Sequence, residues 1–241
     1  MVTSQHEVRD LQFYLDHSAR TFARFFGDLR EYHFLALLPS YLERQGSSLV
    51  AMMDHFIRQS GSPYSGFYLH DTDKLLADIE KLRGDGRKTI VWGVTFALLD
   101  LAERHGPDLS HCLVFETGGM KGRRREITRE ELHATLCNAF RVESIYSEYG
   151  MTELLSQAYS YSSNVFECPP WMKVIGRDVT DPLEKGLTEA TCGLNVIDLA
   201  NWNSVAFIET EDLGRVYADG RFEVLGRFDN SDLRGCNLLV V

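Results

Sequence analysis

The sequence predicts an α/β fold: a mostly parallel sheet flanked by helices, followed by a smaller antiparallel β-rich subdomain. Three observations carry that expectation. Short, fully apolar runs alternate with segments of helical periodicity over residues 1–155, the alternation stops near Ser156, and residues 156–241 read as short strands joined by turns. No internal repeat and no Pro- or Ser-rich linker divides the chain.

Ser4 and Glu7 form an SxxE capping box, and Val8, Leu11, Leu15, Phe22, Phe25 and Leu29 then recur every three or four residues, which predicts a first helix. FLALL (34–38), stopped by Pro39, predicts a strand, and SSLVAMMDHFIRQSG, ending near Gly61, a helix. The alternation repeats with GFYLH (66–70) before DTDKLLADIEKLRG, KTIVWG (88–93) before FALLDLAERHG, and CLVFE (112–116) before TREELHATLCNAF. Thr128 and Glu131 make a second capping box there. A further strand, VESIYSE, runs into YGMTE. Beyond Ser156 the expected strands are MKVIG, LNVIDLA, VAFIETEDLG, GRVYADG and RFEVLGRFD, with ADGR marking a hairpin.

With 241 residues, 44% of them apolar and 25% charged, the chain can bury a core and is not disordered. Lys plus Arg number 25 against 35 Asp plus Glu, and the net charge of −10 argues against a nucleic-acid binder and against an acidic membrane surface. No apolar run approaches the ~20 residues that cross a bilayer. The N-terminal MVTSQHEVRD lacks the layout of a secretion signal, so a cytoplasmic location is expected. The five cysteines are scattered without a CxxC pair and the eight histidines without HExxH spacing, which speaks against disulfides and zinc. Metal chemistry here would be Mg²⁺ held by carboxylates.

Ligands of open parallel sheets bind beyond the carboxyl ends of the strands. Those loops are PSYLERQGSS after Leu38, WGVT (92–95), ETGGMKGRRR (116–125) and SEYGMTE (147–153). YGMTE offers an aromatic face in Tyr149, close backbone approach at Gly150, a hydroxyl in Thr152 and a carboxylate in Glu153, groups that suit a nucleotide and its Mg²⁺. The competing reading is a turn whose tyrosine packs and whose glutamate is solvated.

YGMTE resembles the YGxTE motif of the adenylate-forming superfamily, the acyl-CoA synthetases and their relatives. Three further motifs stand in that family's order: TGG (117–119), TED (210–212) where the family has TGD, and GRFD (226–229). Within the superfamily the sequence is most similar to the acyl-protein synthetases of the bacterial luciferase fatty-acid reductase complex, through LPSYLERQGSSL, GRKTIVWGVTFALLDLAE, FETGGMKGRRREITREELH, NVIDLAN, FIETEDLG and LRGCNLLV. Phenylacetate-CoA ligases are next. The resemblance implies ATP-dependent activation of a carboxylic acid, a fatty acid first, as acyl-adenylate, followed by transfer to a thiol. Gly118 and Gly119 would line the adenine site with Tyr149 beside it, Thr152 would touch phosphate, and Glu153 would hold Mg²⁺. Asp212 would bond the ribose hydroxyls, Arg227 the ribose or phosphate. Cys236 is the candidate acyl-carrying thiol, against the alternative of a small buried hydrophobe. Trp92, Val94 and Phe96 are candidates for an acyl pocket, against the alternative of plain core. The basic residues at 121–125 either steer an anion or an acidic carrier or reductase partner, or form a solvated loop answering Glu126, Glu130 and Glu131.

The sequence also departs from the family. Its SGTTG-type phosphate loop is missing, SGSPYSG (60–66) having the wrong composition and place, so the chain is expected to start just after that loop. A mobile small domain with a catalytic lysine is not expected after the GRFD hinge, which favours a protein thiol over coenzyme A as acceptor. The alternatives are a non-catalytic acyl- or nucleotide-binding member and an aryl-CoA ligase-like enzyme.

Overall fold

The computed structural model describes residues 6–38, 46–118, 127–162, 164–181 and 183–228. The first part alternates as expected: α1 (Leu11–Phe26), a 3₁₀ turn (Leu29–Glu31), β1 (Tyr32–Leu37), α2 (Ser48–Ser60), β2 (Gly66–Phe67), α3 (Thr72–Lys81), β3 (Lys88–Val94), α4 (Thr95–Arg104), β4 (Cys112–Thr117), α5 (Arg129–Phe140), β5 (Tyr146–Tyr149) and β6 (Ala158–Ser160). These strands form one sheet in the order β2-β1-β3-β4-β5-β6, parallel except for the antiparallel pair β5–β6. The second part contributes β7 (Val165–Phe166), β8 (Met172–Arg177), β9 (Lys185–Leu187), β10 (Thr191–Asp198), β11 (Phe207–Val216) and β12 (Phe222–Arg227). They pair antiparallel as β7-β12-β11-β10-β8-β9. The α/β class and the change to antiparallel pairing are therefore as the sequence implied.

The helix ends follow local hydrogen bonding. Ser47 caps α2 and Gly61 closes it in the left-handed region, while Thr128 accepts from the Glu131 N–H at the start of α5. The first helix differs from expectation. It begins at Leu11 because the Asp10 carboxylate accepts the Phe13 N–H, and Gly27 ends it before Leu29, which enters the 3₁₀ turn; Ser4 lies outside the described residues. GFYLH is strand only at Gly66–Phe67, since a turn at Tyr68 leads into the Asp71 cap of α3. VAFIETEDLG and GRVYADG are one long strand, β11, with an irregularity between Leu213 and Gly214, and ADGR closes the expected hairpin onto β12. The first sheet runs on through β6 to Ser160, beyond residue 155. SGSPYSG turns from α2 into β2 and is tied to His33 near the start of β1, at the amino ends of the strands.

Apolar residues fill β1, β3 and β4 because both faces of the sheet are covered. Phe22 of α1, fully buried, lies within ring-packing distance of Tyr32, Phe34, Phe56, Trp92, Phe115 and Tyr159. Gly93, the next residue of β3, points the other way, where Leu98 of α4 packs so close that no Cβ would fit. The two sheets share residues: Tyr149, at the end of β5, packs in the core of the antiparallel sheet, and Ala200, just after β10, packs in the core of the parallel one.

Phe22→Ala should lower unfolding free energy by about 3–5 kcal/mol, the range for a large aromatic removed from a sealed core. Urea denaturation followed by circular dichroism measures it; a loss below about 1 kcal/mol contradicts the packing described.

Candidate functional site

The polar groups of the parallel sheet gather at its carboxyl rim. Glu116 and Thr117 end β4 with Gly118 just beyond, Thr95 opens α4 just beyond β3, and Ser147, Glu148 and Tyr149 end β5. Gly118 has φ 73, a left-handed turn that favours glycine, and its carbonyl accepts the Thr95 hydroxyl.

Two carboxylates on this rim are buried among apolar strands, and their surroundings treat them differently. Burial raises Glu116, but the Arg129 guanidinium at 2.9 Å, with His133 and Ser147 beside it, outweighs burial and holds the carboxyl below its ordinary value. Glu148 is pushed up to about 7, first by burial and further by the charge of Glu116, with the Thr117 hydroxyl bond opposing.

The residues singled out by sequence divide into groups. Tyr149, Asp212 and Arg227 come together: the Tyr149 hydroxyl donates to Asp212 Oδ2 at 2.8 Å, and Arg227 Nε lies 3.4 Å from Asp212 Oδ1. Asp212 sits on β11 opposite Arg227 of β12, so register alone makes them neighbours. The Tyr149 ring packs edge-on to Phe222 and is tilted against Phe166. Burial raises the Asp212 carboxyl; the Tyr149 bond and Arg227 pull it down and Glu211 pushes it up. Glu211, which replaces a glycine of the family motif, pairs instead with exposed Arg227 at 3.1 Å.

Gly150 follows Tyr149 directly, and Thr152 and Glu153 lie half-buried in the turn after it. The Glu153 carbonyl accepts from Asn201 Nδ2 at 2.6 Å. Trp92 is fully buried and stacked on Phe115 at 4.6 Å, and Val94 is nearly as enclosed; both pack in the core of the parallel sheet. Gly119, the basic residues at 121–125 and Cys236 lie outside the described residues.

Sequence reasoning assigned no role to Asp198 or Asn201 and passed over Glu116 and Glu148. Asp198 is fully buried and accepts from the Leu155 N–H, the Ser156 N–H, the Ser156 hydroxyl at 2.6 Å and the Ala200 N–H. His17 Nε2 lies 3.0 Å from the Ser156 oxygen. With that hydroxyl donating to Asp198, His17 must donate through Nε2–H, so this trio is a structural clasp and not a nucleophile with its base. The available signal was a carboxylate within or ending a strand otherwise buried, which has to be given partners.

Neither a protein-family model nor a curated protein sequence matches the chain. Solved structures share its fold. ATP-bound MatB from Rhodopseudomonas palustris superposes with a TM-score of 0.64 at 15% identity, over 89% of this chain and 44% of that one. A malonyl-CoA ligase in a ternary product complex with methylmalonyl-CoA and AMP gives 0.63 at 17%, over 90% and 48%. McyG A-PCP complexed with phenylalanyl-adenylate gives 0.63 at 13%, over 89% and 43%. At these identities the likeness is one of fold, and this chain spans about half the length of the structures it matches.

A carboxyl raised from its ordinary 4.5 to about 7 in the folded state lowers stability as pH climbs between those values. Glu148→Gln should therefore raise the melting temperature more at pH 8 than at pH 5; equal shifts at the two pH values count against the burial described.

Proposed function

We propose that the chain is the nucleotide-binding part of an adenylate-forming ligase that activates a carboxylic acid, a fatty acid first, and passes the acyl group to a protein thiol. The observation that supports it is the meeting of Tyr149, Asp212 and Arg227 from two sheets, on a fold whose solved examples include complexes with ATP, with AMP and with phenylalanyl-adenylate.

In this reading the adenine lies between Gly118, which Gly119 follows in sequence, and the segment at Tyr149 and Gly150. Asp212 Oδ2 is occupied by Tyr149, leaving Oδ1 as the acceptor for the ribose hydroxyls, with Arg227 at the same edge. Thr152 meets phosphate. A substrate carboxylate oxygen attacks the α-phosphorus of ATP, the bond from that phosphorus to the bridging oxygen breaks, and pyrophosphate leaves. A thiolate then attacks the acyl carbonyl and AMP leaves.

Glu153 fits a Mg²⁺ ion held mainly by phosphates. It supplies one hard oxygen ligand, and no group of three or more His, Cys, Asp or Glu that could hold a metal is built among the described residues. Such an ion neutralises phosphate charge.

The acceptor thiol is narrowed by burial. Cys112 and Cys168 are pushed up to about 12, and Cys137 and Cys192 are raised as well, so all four resist becoming thiolates. That leaves Cys236, or a thiol on an acyl-carrier or reductase partner. No helix among the described residues is long and apolar enough to cross a membrane.

Calorimetric titration with AMP tests the reading. Asp212→Ala should weaken binding by about 10- to 100-fold, the worth of a hydrogen bond to a charged group. Glu153→Ala should leave AMP affinity in place and, in a full-length ligase that carries the phosphate loop, remove acid-dependent pyrophosphate release. No AMP binding by the wild-type chain overturns the nucleotide site; a full-length form that binds AMP but releases no pyrophosphate with any acid overturns the ligase.

A further inference from the structure

The two glycine turns assigned to the adenine come from neighbouring strands, and one side chain outside the proposed chemistry touches both. Glu148 stands opposite Thr117 in the parallel register of β4 and β5. Its Oε2 accepts the Thr117 hydroxyl at 2.5 Å, one residue before Gly118. Its Oε1 lies against Gly150, so close that a Cβ there would push the carboxyl out of place. The same enclosed group thus underlies both turns.

The other titratable groups facing Glu148 are Glu116 of β4, Tyr159 of β6 and Tyr14 of α1. The cations Arg129 and His133 of α5 face Glu116 instead. Thr117 is therefore the donor that holds Glu148 in place, and its bond only partly offsets the cost of burying the ionised form.

We propose that Glu148 is a positioning residue that bridges Thr117 and Gly150 and so sets the spacing of the two turns between which the base binds. Protonated, it sits in the enclosed site without a desolvation cost and holds the turns together; ionised, it is drawn toward water and loosens them. The bridge stands on geometry alone, whereas its consequence for ligand binding rests on the nucleotide reading above. With the carboxyl titrating at about 7, the change falls within the physiological range.

Two measurements separate the bridge from that reading. Hydrogen exchange at pH 6 without nucleotide, read on peptides covering 112–118 and 146–153, should rise in both peptides, by roughly fivefold or more, in Glu148→Ala and again in Thr117→Val, as losing a hydrogen bond of about 1 kcal/mol predicts. Exchange that rises only in the peptide carrying the substitution overturns the bridge. AMP titrations from pH 6 to 8 should show wild-type affinity falling several-fold, relative to Glu148→Gln, as pH rises through about 7. The Gln variant carries whatever pH dependence AMP's own phosphate contributes, so parallel profiles overturn the role of ionisation. If the wild type binds no AMP, the nucleotide reading falls, and the exchange experiment alone decides the bridge.

Discussion

The structure depends on one requirement: a carboxylate sealed away from water must be surrounded by donors. Asp198, at the end of β10, is fully enclosed and satisfied by the chain leaving the parallel sheet, through the backbone of Leu155 and Ser156 and the Ser156 hydroxyl. Those bonds fix the path of the chain after β5. Asn201, three residues on, takes up the Glu153 carbonyl. The sheets are thereby held at one relation, and Tyr149 can deliver its hydroxyl to Asp212 across the junction.

The same requirement explains why two glutamates on one rim behave differently. Glu116 has a guanidinium within ion-pair distance and stays ionised despite burial. Glu148 has a hydroxyl and a nearby like charge, so burial prevails. A group poised near neutrality inside a wall of strands costs stability, and such groups concentrate where chemistry needs them. Here it lies under the turns that the nucleotide reading uses.

Fold and function carry different weight. The α/β sheet with its antiparallel companion is shared with proteins solved with ATP, AMP or an adenylate, yet at 13–17% identity and about half their length the likeness speaks to architecture. At the rim, this chain's own Tyr149, Asp212 and Arg227 bring a buried ring with a bonded hydroxyl, a carboxylate and a guanidinium into one cluster.

Much was legible in the amino-acid order, because strands buried on both faces must be apolar and helices between them must be amphipathic. The alternation, the cap at Thr128, the ADGR hairpin and the polar loops at the carboxyl rim all follow from such local rules. Local rules misplaced the start of α1, where Asp10 offered a cap nearer the apolar stripe, and split β11, whose irregularity at Leu213 and Gly214 looks like a break when read alone. Partnerships across long separations were decided only in three dimensions. Asp198 with Ser156, Glu148 with Thr117 and Tyr149 with Asp212 join residues far apart in the chain, and whether a buried carboxyl is charged or neutral depends on which donor the fold places beside it.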